Sequence, residues 1–363
     1  MGIEANPMAH FASQVKVDWN LNPAHLLEHA HRVAEIATER LASEGIEDVM
    51  LFHIVQNSCT LQTLPRDSMK LLLTNSISAL PLHKTLVLLD CLEQNYDERF
   101  HRHELLALAK ALVYSISNLH FGPEVGVGPA RHDAPVISTW LAGVHAMTDD
   151  LSTVRAIQDT PANVYLADAR QIVRVLEPHS IDAVITSPPY PNEKDYTRTT
   201  RLESVLSGFI HSKSELQALK RSLVRSNTRG VYKEDDDDQW VAEHPEIQCI
   251  AEAIEARRIE LGKTSGFERL YARVTRLYFG GIARHLATLR MILRPGAQLA
   301  YVVGDQASYL RIMIPTGQLL ADIAQSLGYD LISIDLFRTR LATATKEQLR
   351  EEVVVLRWPG TGM

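Results

Sequence analysis

The sequence has few features of a secreted or membrane protein. Its 363 residues include only three cysteines, Cys59, Cys91 and Cys249, which lie far apart without the paired spacing of a disulfide framework or a zinc site. No apolar run approaches the ~20 residues that a membrane-spanning helix needs, and no charged-then-apolar leader opens the chain. We therefore expect a cytoplasmic protein with no membrane contact and no metal.

An excess of positive charge is also lacking. The chain carries 37 Lys and Arg against 44 Asp and Glu, a formal net charge of −7. Any binding of nucleic acid would therefore need a local basic surface. The apolar fraction of 45% and the charged fraction of 22% are those of an ordinary globular protein. The length allows two domains, or one domain with insertions.

The most informative segment is Thr186-Ser187-Pro188-Pro189-Tyr190, which follows the apolar run 181–185. We interpret that run as a buried strand. Each proline fixes φ and lacks an N–H, so the strand exit is a rigid loop at the edge where open α/β sheets bind ligands. Its carbonyl groups can accept hydrogen bonds from an exocyclic amino group, and Tyr190 offers a ring for stacking. The alternative is a stiff strand exit without chemistry.

Strand and helix patterns alternate around this loop. Strands are predicted at 163–166, 298–303, 329–336 and 352–358, with one helix that follows 167–170 and ends near 176 and further helices at 270–293 and 316–327. Gly328 is the expected C-cap of the last helix. The alternation predicts an α/β fold with a mostly parallel, doubly wound sheet.

The loop and its surroundings resemble the S-adenosylmethionine-dependent, amino-directed DNA methyltransferases. The form Ser187-Pro188-Pro189-Tyr190 is most similar to the N4-cytosine branch, whereas Asp or Asn in the first position is commoner among N6-adenine enzymes. The resemblance implies a Rossmann-like sheet and makes these four residues catalytic. It also implies that Asp168 and Ala169 bind the cofactor, with Asp168 accepting from the adenine amino group. From the residues themselves, Asp168 is equally a helix N-cap.

The amino terminus carries a second part of the resemblance. Glu4, followed by Asn6-Pro7 and apolar residues, is similar to the family's second motif, which implies that Glu4 and Asn6 bind the cofactor. A frayed terminus is the alternative. The family's first motif, a strand and Gly-rich turn, should precede Glu4, and no such residues stand there. The stretch 122–128 is glycine-rich, but we interpret it as a linker or active-site loop.

Three explanations compete for the apparent absence of the first strand. In order of preference, the true start lies upstream, a separate chain supplies the strand and turn, or the protein is an inactive remnant. Since the family's first strand lies in the middle of the sheet, its absence leaves neighbouring strands with an unpaired edge.

Two segments fall outside the minimal sheet. The division we expect is 1–19 for the second strand and the start of its helix, 20–130 for a helical insertion, 131–194 and 268–363 for the catalytic core, and 195–267 for a second insertion that is a candidate for target recognition. Within 20–130, helices are predicted at 23–43, 68–80, 82–92 and 103–119. Five histidines of this segment (His29, His31, His53, His101 and His103) are assigned to its surface or core, not to a metal.

The second insertion opens with basic residues. We assign DNA contacts to Arg198, Arg201, Arg221, Arg225 and Arg229 because arginines beside a catalytic loop can follow a phosphate backbone. A salt-bridged, solvated face is the alternative. The four aspartates 235–238 that follow predict a mobile loop.

Together these features favour a site-specific DNA methyltransferase of a restriction-modification system, with double-stranded DNA as its partner and cytosine N4 as the preferred target. Three alternatives stay open. The first is an N6-adenine enzyme. The second is an RNA or protein methyltransferase, in which Asn or Asp usually replaces Ser187. The third is a truncated or split subunit that binds DNA or a partner without activity of its own.

Overall fold

A computed structural model describes residues 1–49, 60–122, 124–154, 160–192, 194–341, 346 and 348–360. His53, Cys59 and Pro123 lie outside the described residues. The chain forms two compact units: unit 1 is Met1–Leu166 with Tyr196–Ala218, and unit 2 is Ala167–Asp195 with Leu219–Met363. The helical segment 20–130 therefore falls within unit 1, and the segment 195–267 is divided between the units.

Unit 1 is mainly helical. Its helices are α1 (Pro7–Lys16), α2 (Pro23–Ser43), α3 (Arg66–Met69), α4 (Ala79–Gln94), α5 (His101–Ala111), α6 (Ile137–Val154), α7 (Tyr196–Thr199) and α8 (Arg201–Leu206), and α9 (Lys213–Ser222) begins in unit 1 and ends in unit 2. A π-helical turn, Leu112–Ile116, extends α5. Its strands are β1 (Gly2–Glu4), β2 (Leu119–Phe121), β3 (Val125–Val127) and β4 (Val164–Leu166).

The core of unit 1 lies among α2, α4, α5 and α6. Leu26, Leu88 and Leu108 are fully buried there, together with Trp140, whose indole N–H donates to the Glu104 carbonyl at 2.9 Å. The α2 prediction is confirmed in detail, because the Asn22 side chain caps the helix and Pro23 opens it.

The strands of unit 1 form two small sheets. β1 and β4 pair in parallel, with Gly2 opposite Val164 and Glu4 opposite Leu166. β2 and β3 form an antiparallel pair. The stretch 122–128, interpreted from the sequence as a linker or active-site loop, therefore contains strand β3.

Unit 2 carries the larger sheet. Its strands are β5 (Ile181–Thr186), β6 (Leu293–Gly304), β7 (Asp330–Leu341) and β8 (Gln348–Arg357), and its helices are α10 (Pro245–Glu260), α11 (Tyr271–Leu289) and α12 (Thr316–Ser326). Short 3-10 helices occupy Ala169–Arg174, Thr228–Gly230, Asp237–Val241 and Glu268–Leu270.

The sheet of unit 2 has the order β5-β6-β8-β7. β5 and β6 are parallel, whereas β8 is antiparallel to both β6 and β7. The α/β class is confirmed, but the sheet of unit 2 is mixed rather than mostly parallel. The reason is that no helix separates β7 from β8 among the described residues, so the two strands pair as a hairpin.

Three local predictions need correction. The helix predicted at 270–293 ends at Leu289, and residues 293–296 already belong to β6. The helix predicted after Asp168 is only a 3-10 helix, because Gln171 leaves helical geometry (φ −124°, ψ 26°). In the segment 68–80, helix is limited to the end of α3 and the start of α4. The C-cap prediction is confirmed, since Gly328 has φ +89°.

No helix in the described part of the chain is long and apolar enough to cross a membrane. The same residues contain no group of three His, Cys, Asp or Glu side chains that could hold a metal ion. Three of the insertion's histidines are buried: His29 bonds to the Glu104 carboxylate at 2.7 Å, His103 bonds to the Asp18 carbonyl at 3.1 Å, and His83 accepts from the Gln62 N–H at 3.0 Å.

Helix α8 buries an acidic side chain. Glu203 is buried between the core residues Leu202 and Leu206, and its Oε2 atom has no hydrogen-bond partner among the described residues. Burial raises the pKa of Glu203 to about 7. The folded state therefore holds a proton that the unfolded state releases at lower pH, so stability falls as pH rises from the ordinary value of 4.5 through about 7.

We expect Glu203→Gln to remove this loss of stability at high pH. The substitution raises the free energy of unfolding by up to about 3 kcal/mol at about pH 8, and by much less at about pH 5, because the neutral amide has no proton to lose. Urea unfolding of both proteins at the two pH values measures the difference. An equal gain at both pH values would contradict the assignment.

Candidate active site

The proline loop leaves the carboxyl end of β5. Thr186, the last residue of the strand, lies opposite Tyr301 of β6, and residues 187–190 follow directly. The strand is less buried than its sequence predicts, with Ile185 85% exposed. The reason is that β5 is an edge strand that pairs with β6 alone in the described sheet.

The Tyr190 ring packs on the backbone at the end of β6. A Cβ atom built on Gly304 would lie 2.8 Å from the Tyr190 Cε2 atom and 3.0 Å from its Cδ2 atom. Any side chain at position 304 would therefore collide with the ring. The proline loop after β5 can take this position only because Gly304 of β6 has no side chain.

Several polar groups act on the hydroxyl of Tyr190. Burial, together with the nearby Glu351 carboxylate, raises the pKa of the Tyr190 hydroxyl, while Ser187, Arg340 and Arg338 act in the opposite direction. The phenol is thus neutral at physiological pH.

Asp305 follows directly after the end of β6. Asp305, which is buried, accepts a hydrogen bond from the Thr316 N–H at the start of α12. Burial raises the pKa of Asp305, and the neighbouring Glu352 acts in the same direction. This carboxylate anchors α12 to the carboxyl end of β6.

Asp168 is the N-cap of the 3-10 helix Ala169–Arg174. Its Oδ1 accepts from the Arg170 N–H at 2.9 Å, and its Oδ2 accepts from Arg170 Nη2 at 2.7 Å. The Ala169 carbonyl accepts from His285 Nδ1 at 3.0 Å, and His285 Nε2 lies 2.8 Å from the Tyr301 hydroxyl. Burial lowers the pKa of His285, so it stays neutral and holds Ala169 in place.

Arg170 links this 3-10 helix to the second insertion, residues 195–267. Its guanidinium also pairs with Asp237, which in turn accepts from Arg284 at 3.0 Å. The backbone of Asp237 comes so close to α11 that a Cβ on Gly280 would lie 1.9 Å from the Asp237 carbonyl oxygen. The aspartate run does not form the mobile loop expected from its charge, because buried arginines hold it.

Glu4 and Asn6 lie in unit 1. Glu4 ends β1, and its Oε1 accepts from the Asn6 N–H at 2.8 Å. The Asn6 side chain caps α1 by accepting from the Met8 N–H, and it donates to the Thr200 hydroxyl at 3.1 Å. The predicted local structure, a strand ending in an acid followed by a helix opening at Asn-Pro, is confirmed.

The five arginines assigned to DNA differ in exposure. Arg201 is buried and donates to the carbonyls of Thr197 and Leu71, and Arg225 is buried and forms two hydrogen bonds with Asp235. Both guanidinium groups are used inside the protein, as in the salt-bridged alternative. Arg198 is half-buried, whereas Arg221 and Arg229 are more open, with 60% of the Arg221 side chain exposed.

Arg221 and Arg229 lie against aromatic rings in unit 2. The Arg221 guanidinium is 5.0 Å from the centre of the Tyr232 ring, and the Arg229 guanidinium is 5.8 Å from that of Phe267. Phe267 is itself exposed. These contacts pre-position both cations at the surface.

Sequence reasoning missed the charged residues near Tyr190 and the histidine that bonds to Ala169. Glu351, Arg338 and Arg340 come from the β7–β8 hairpin, far along the chain from the loop, and His285 comes from the second half of α11. The only available signal was the pair of acids 351–352 before an apolar strand, and its partners could not be read from the chain.

The buried Asp237 carboxylate yields a test of this network. Asp237→Ala leaves Arg284 without its closest partner and Arg170 with Asp168 as its one remaining carboxylate among the described residues, so we expect a loss of about 3–5 kcal/mol in the free energy of unfolding. Asp236→Ala is the matched control: its side chain is 69% exposed, so its loss should stay within about 0.5 kcal/mol. Urea unfolding followed by circular dichroism measures both, and equal losses would contradict a buried network.

The comparisons with known proteins agree with the site. No family model matches the chain. It is 26% identical over 214 residues to the type II methyltransferase M.AvaI of Nostoc sp. (strain PCC 7120 / SAG 25.82 / UTEX 2576), and to that of Anabaena variabilis, covering 56% of this chain and 43% of each relative. It is 28% identical over 195 residues to the type II methyltransferase M.BsoBI of Geobacillus stearothermophilus, covering 49% and 37%.

The chain thus matches less than half the length of these curated relatives. Among solved structures, it matches TTHA0409 of Thermus thermophilus, a candidate DNA modification methylase, with 15% identity and a TM-score of 0.28 over 54% of each chain. The curated relatives are type II methyltransferases, and the resemblance predicted from the proline loop is confirmed.

Proposed function

We propose that this protein transfers a methyl group from S-adenosylmethionine to an exocyclic amino group of DNA, with cytosine N4 as the target. The observation that carries the proposal is the Ser187-Pro188-Pro189-Tyr190 loop, which leaves β5 with its tyrosine seated on Gly304. Ser187 in the first position favours cytosine over adenine. The similarity to type II methyltransferases supports DNA as the substrate.

The loop supplies the polar groups that this reaction needs. The target amino group is buried in a base pair, so the base must first leave the helix at a cost of a few kcal/mol. Its lone pair is delocalised into the ring. Hydrogen bonds donated by the amino group to the Ser187 hydroxyl and the Pro188 carbonyl return electron density to nitrogen and aim its lone pair.

The chemical step is a direct displacement. The amino nitrogen would accept the methyl group that bound S-adenosylmethionine supplies, with S-adenosylhomocysteine as the leaving group and one amino proton released to solvent. Tyr190 stacks on the extruded base, and Pro189 keeps the loop rigid. Fixed dipoles and orientation carry the catalysis, so no covalent intermediate is required.

Cofactor binding is proposed for Glu4, Asn6, Asp168 and Ala169. Glu4 fits this role because Oε1 is bound by the Asn6 N–H, which leaves Oε2 for ribose hydroxyls. Asp168 fits less simply, since Arg170 occupies both oxygens; it would share its carboxylate between Arg170 and the adenine amino group. The cofactor supplies an electrophilic methyl group on a positively charged sulfur. A Rossmann-like arrangement of the strands belongs to the same proposal.

Contacts to the DNA backbone are proposed for Arg221, Arg229 and Arg198. Arg221 and Arg229 can reach phosphates without breaking a buried ion pair. Arg201 and Arg225 support the fold around them instead, because their hydrogen bonds lie inside the protein.

The double substitution Ser187→Ala with Pro188→Ala tests the catalytic loop. It removes one acceptor and the rigidity that aims the other, so we expect methyl transfer to fall by at least ~100-fold. Transfer of tritiated methyl groups to unmethylated bacteriophage DNA measures the rate, and calorimetry with S-adenosylmethionine should show nearly unchanged binding. Ser180→Ala, just before the amino end of β5, is the matched control. Retained activity in the double variant would contradict the assignment of Ser187 and Pro188 to catalysis.

Gly304→Ala tests the seat of the tyrosine ring. The added methyl would lie 2.8 Å from the ring, so Tyr190 must shift, and we expect kcat to fall ~10-fold or more with little change in cofactor affinity. Gly266→Ala is the control, since a Cβ there meets nothing within 4 Å. If displacement of the Tyr190 ring causes the loss, the double variant Tyr190→Ala with Gly304→Ala has the same kcat as Tyr190→Ala alone. A further fall of kcat in the double variant would contradict this explanation.

A further inference from the structure

The β7–β8 hairpin extends past the end of the sheet. β6 ends at Gly304, opposite Glu351 of β8, whereas β7 and β8 remain paired as far as Leu341 and Gln348. β7 runs in the same direction as β5, because β6 and β7 are both antiparallel to β8 and β6 is parallel to β5. The extension therefore stands at the carboxyl edge of β5, where the proline loop leaves the sheet. We call residues 336–341 and 348–352 the arm.

The arm presents cations to solvent over buried carboxylates. Arg338, with 65% of its side chain exposed, and the partly exposed Arg340 both pair with Glu351, of which only 6% is exposed. Arg350, also exposed, donates to the buried Glu352 at 2.6 Å. The carboxylates therefore lie beneath the arginines, and the outer surface of the arm is positive.

Exposed apolar side chains accompany these arginines. Leu336, Phe337 and Leu341 are all exposed, and the Arg338 guanidinium lies 5.8 Å from the centre of the Phe337 ring. Exposed apolar residues beside arginines suit a surface that meets stacked bases and phosphates rather than water.

The arm is also close to the tyrosine. Glu351, which holds Arg338 and Arg340, has its Cγ atom 3.3 Å from a Cβ built on Gly304, the same residue on which the Tyr190 ring packs. Arg340 additionally donates to the Asp305 carbonyl at 2.9 Å. A nucleotide with its base on Tyr190 would bring its own flanking phosphates to this side of the site.

We propose that the arm binds the phosphate backbone of duplex DNA beside the extruded nucleotide, with Arg338 as a phosphate contact. The inference rests on the proposed function and adds a second DNA surface, distinct from the arginines of residues 195–267. Arg338 keeps Glu351 neutralised from one side while its remaining N–H groups point to solvent.

Arg338→Gln tests the contact without leaving a buried charge unpaired, since Arg340 still faces Glu351. Anisotropy of a fluorescein-labelled duplex of mixed sequence gives the affinity across a range of salt concentrations. One lost phosphate contact should lower the slope of log K against log salt by about 0.9. The affinity at low salt should fall roughly tenfold, and Arg338→Lys should recover most of both because it keeps the charge.

Arg357→Gln is the matched control. It removes an arginine of β8 that is also half-exposed and paired with a carboxylate, Asp330 at 2.7 Å, but at the opposite end of the strand. It should leave slope and affinity at wild-type values. An Arg338→Gln protein with a wild-type slope, or with the same loss as Arg357→Gln, would overturn the proposal.

Methyl transfer by the wild-type protein separates the two levels of the account. If the wild type methylates bacteriophage DNA while Arg338→Gln keeps its full salt slope, the arm proposal fails and the proposed function stands. If the wild type neither methylates DNA nor binds the duplex, the proposed function fails, and the arm proposal fails with it.

Discussion

The contact between the Tyr190 ring and the backbone of Gly304 is the constraint on which the site depends. Two prolines stiffen the chain between Ser187 and Tyr190, so fixing the ring also restricts the position of Ser187. The ring can sit there only because position 304 has no side chain. The contact between Tyr190 and Gly304 therefore joins the carboxyl ends of the parallel strands β5 and β6. Glu351 of β8 lies opposite Gly304.

A buried ionic network positions the 3-10 helix Ala169–Arg174 within unit 2. Arg170 binds Asp168 and Asp237, and Asp237 binds Arg284 of α11. Residues that are 67 positions apart in sequence are thereby held in one arrangement. Buried ion pairs contribute little net stability, yet breaking one is costly, so such a network specifies geometry more than it stabilises.

The sequence predicted helices and their caps well, but it did not predict which strands and side chains pair with each other. Helix α2 and the Gly328 cap could be predicted, because capping and periodicity act over a few residues. The mixed sheet could not, since strand direction depends on which strands pair. The exposure of Ile185 was missed for a related reason: an apolar run says nothing of how many neighbours its strand has. Arg201 and Arg225 were assigned to DNA from charge alone, and only the fold shows that their partners are internal.

The most direct test is the identity of the methylated nucleoside. Unmethylated bacteriophage DNA is incubated with the purified protein and S-adenosylmethionine, digested to nucleosides and analysed by mass spectrometry. The account predicts N4-methylcytosine, formed by the wild type and not by the Ser187→Ala, Pro188→Ala protein. N6-methyladenine as the product would contradict the base assigned from Ser187, and the absence of any methylated nucleoside would contradict the proposed activity itself.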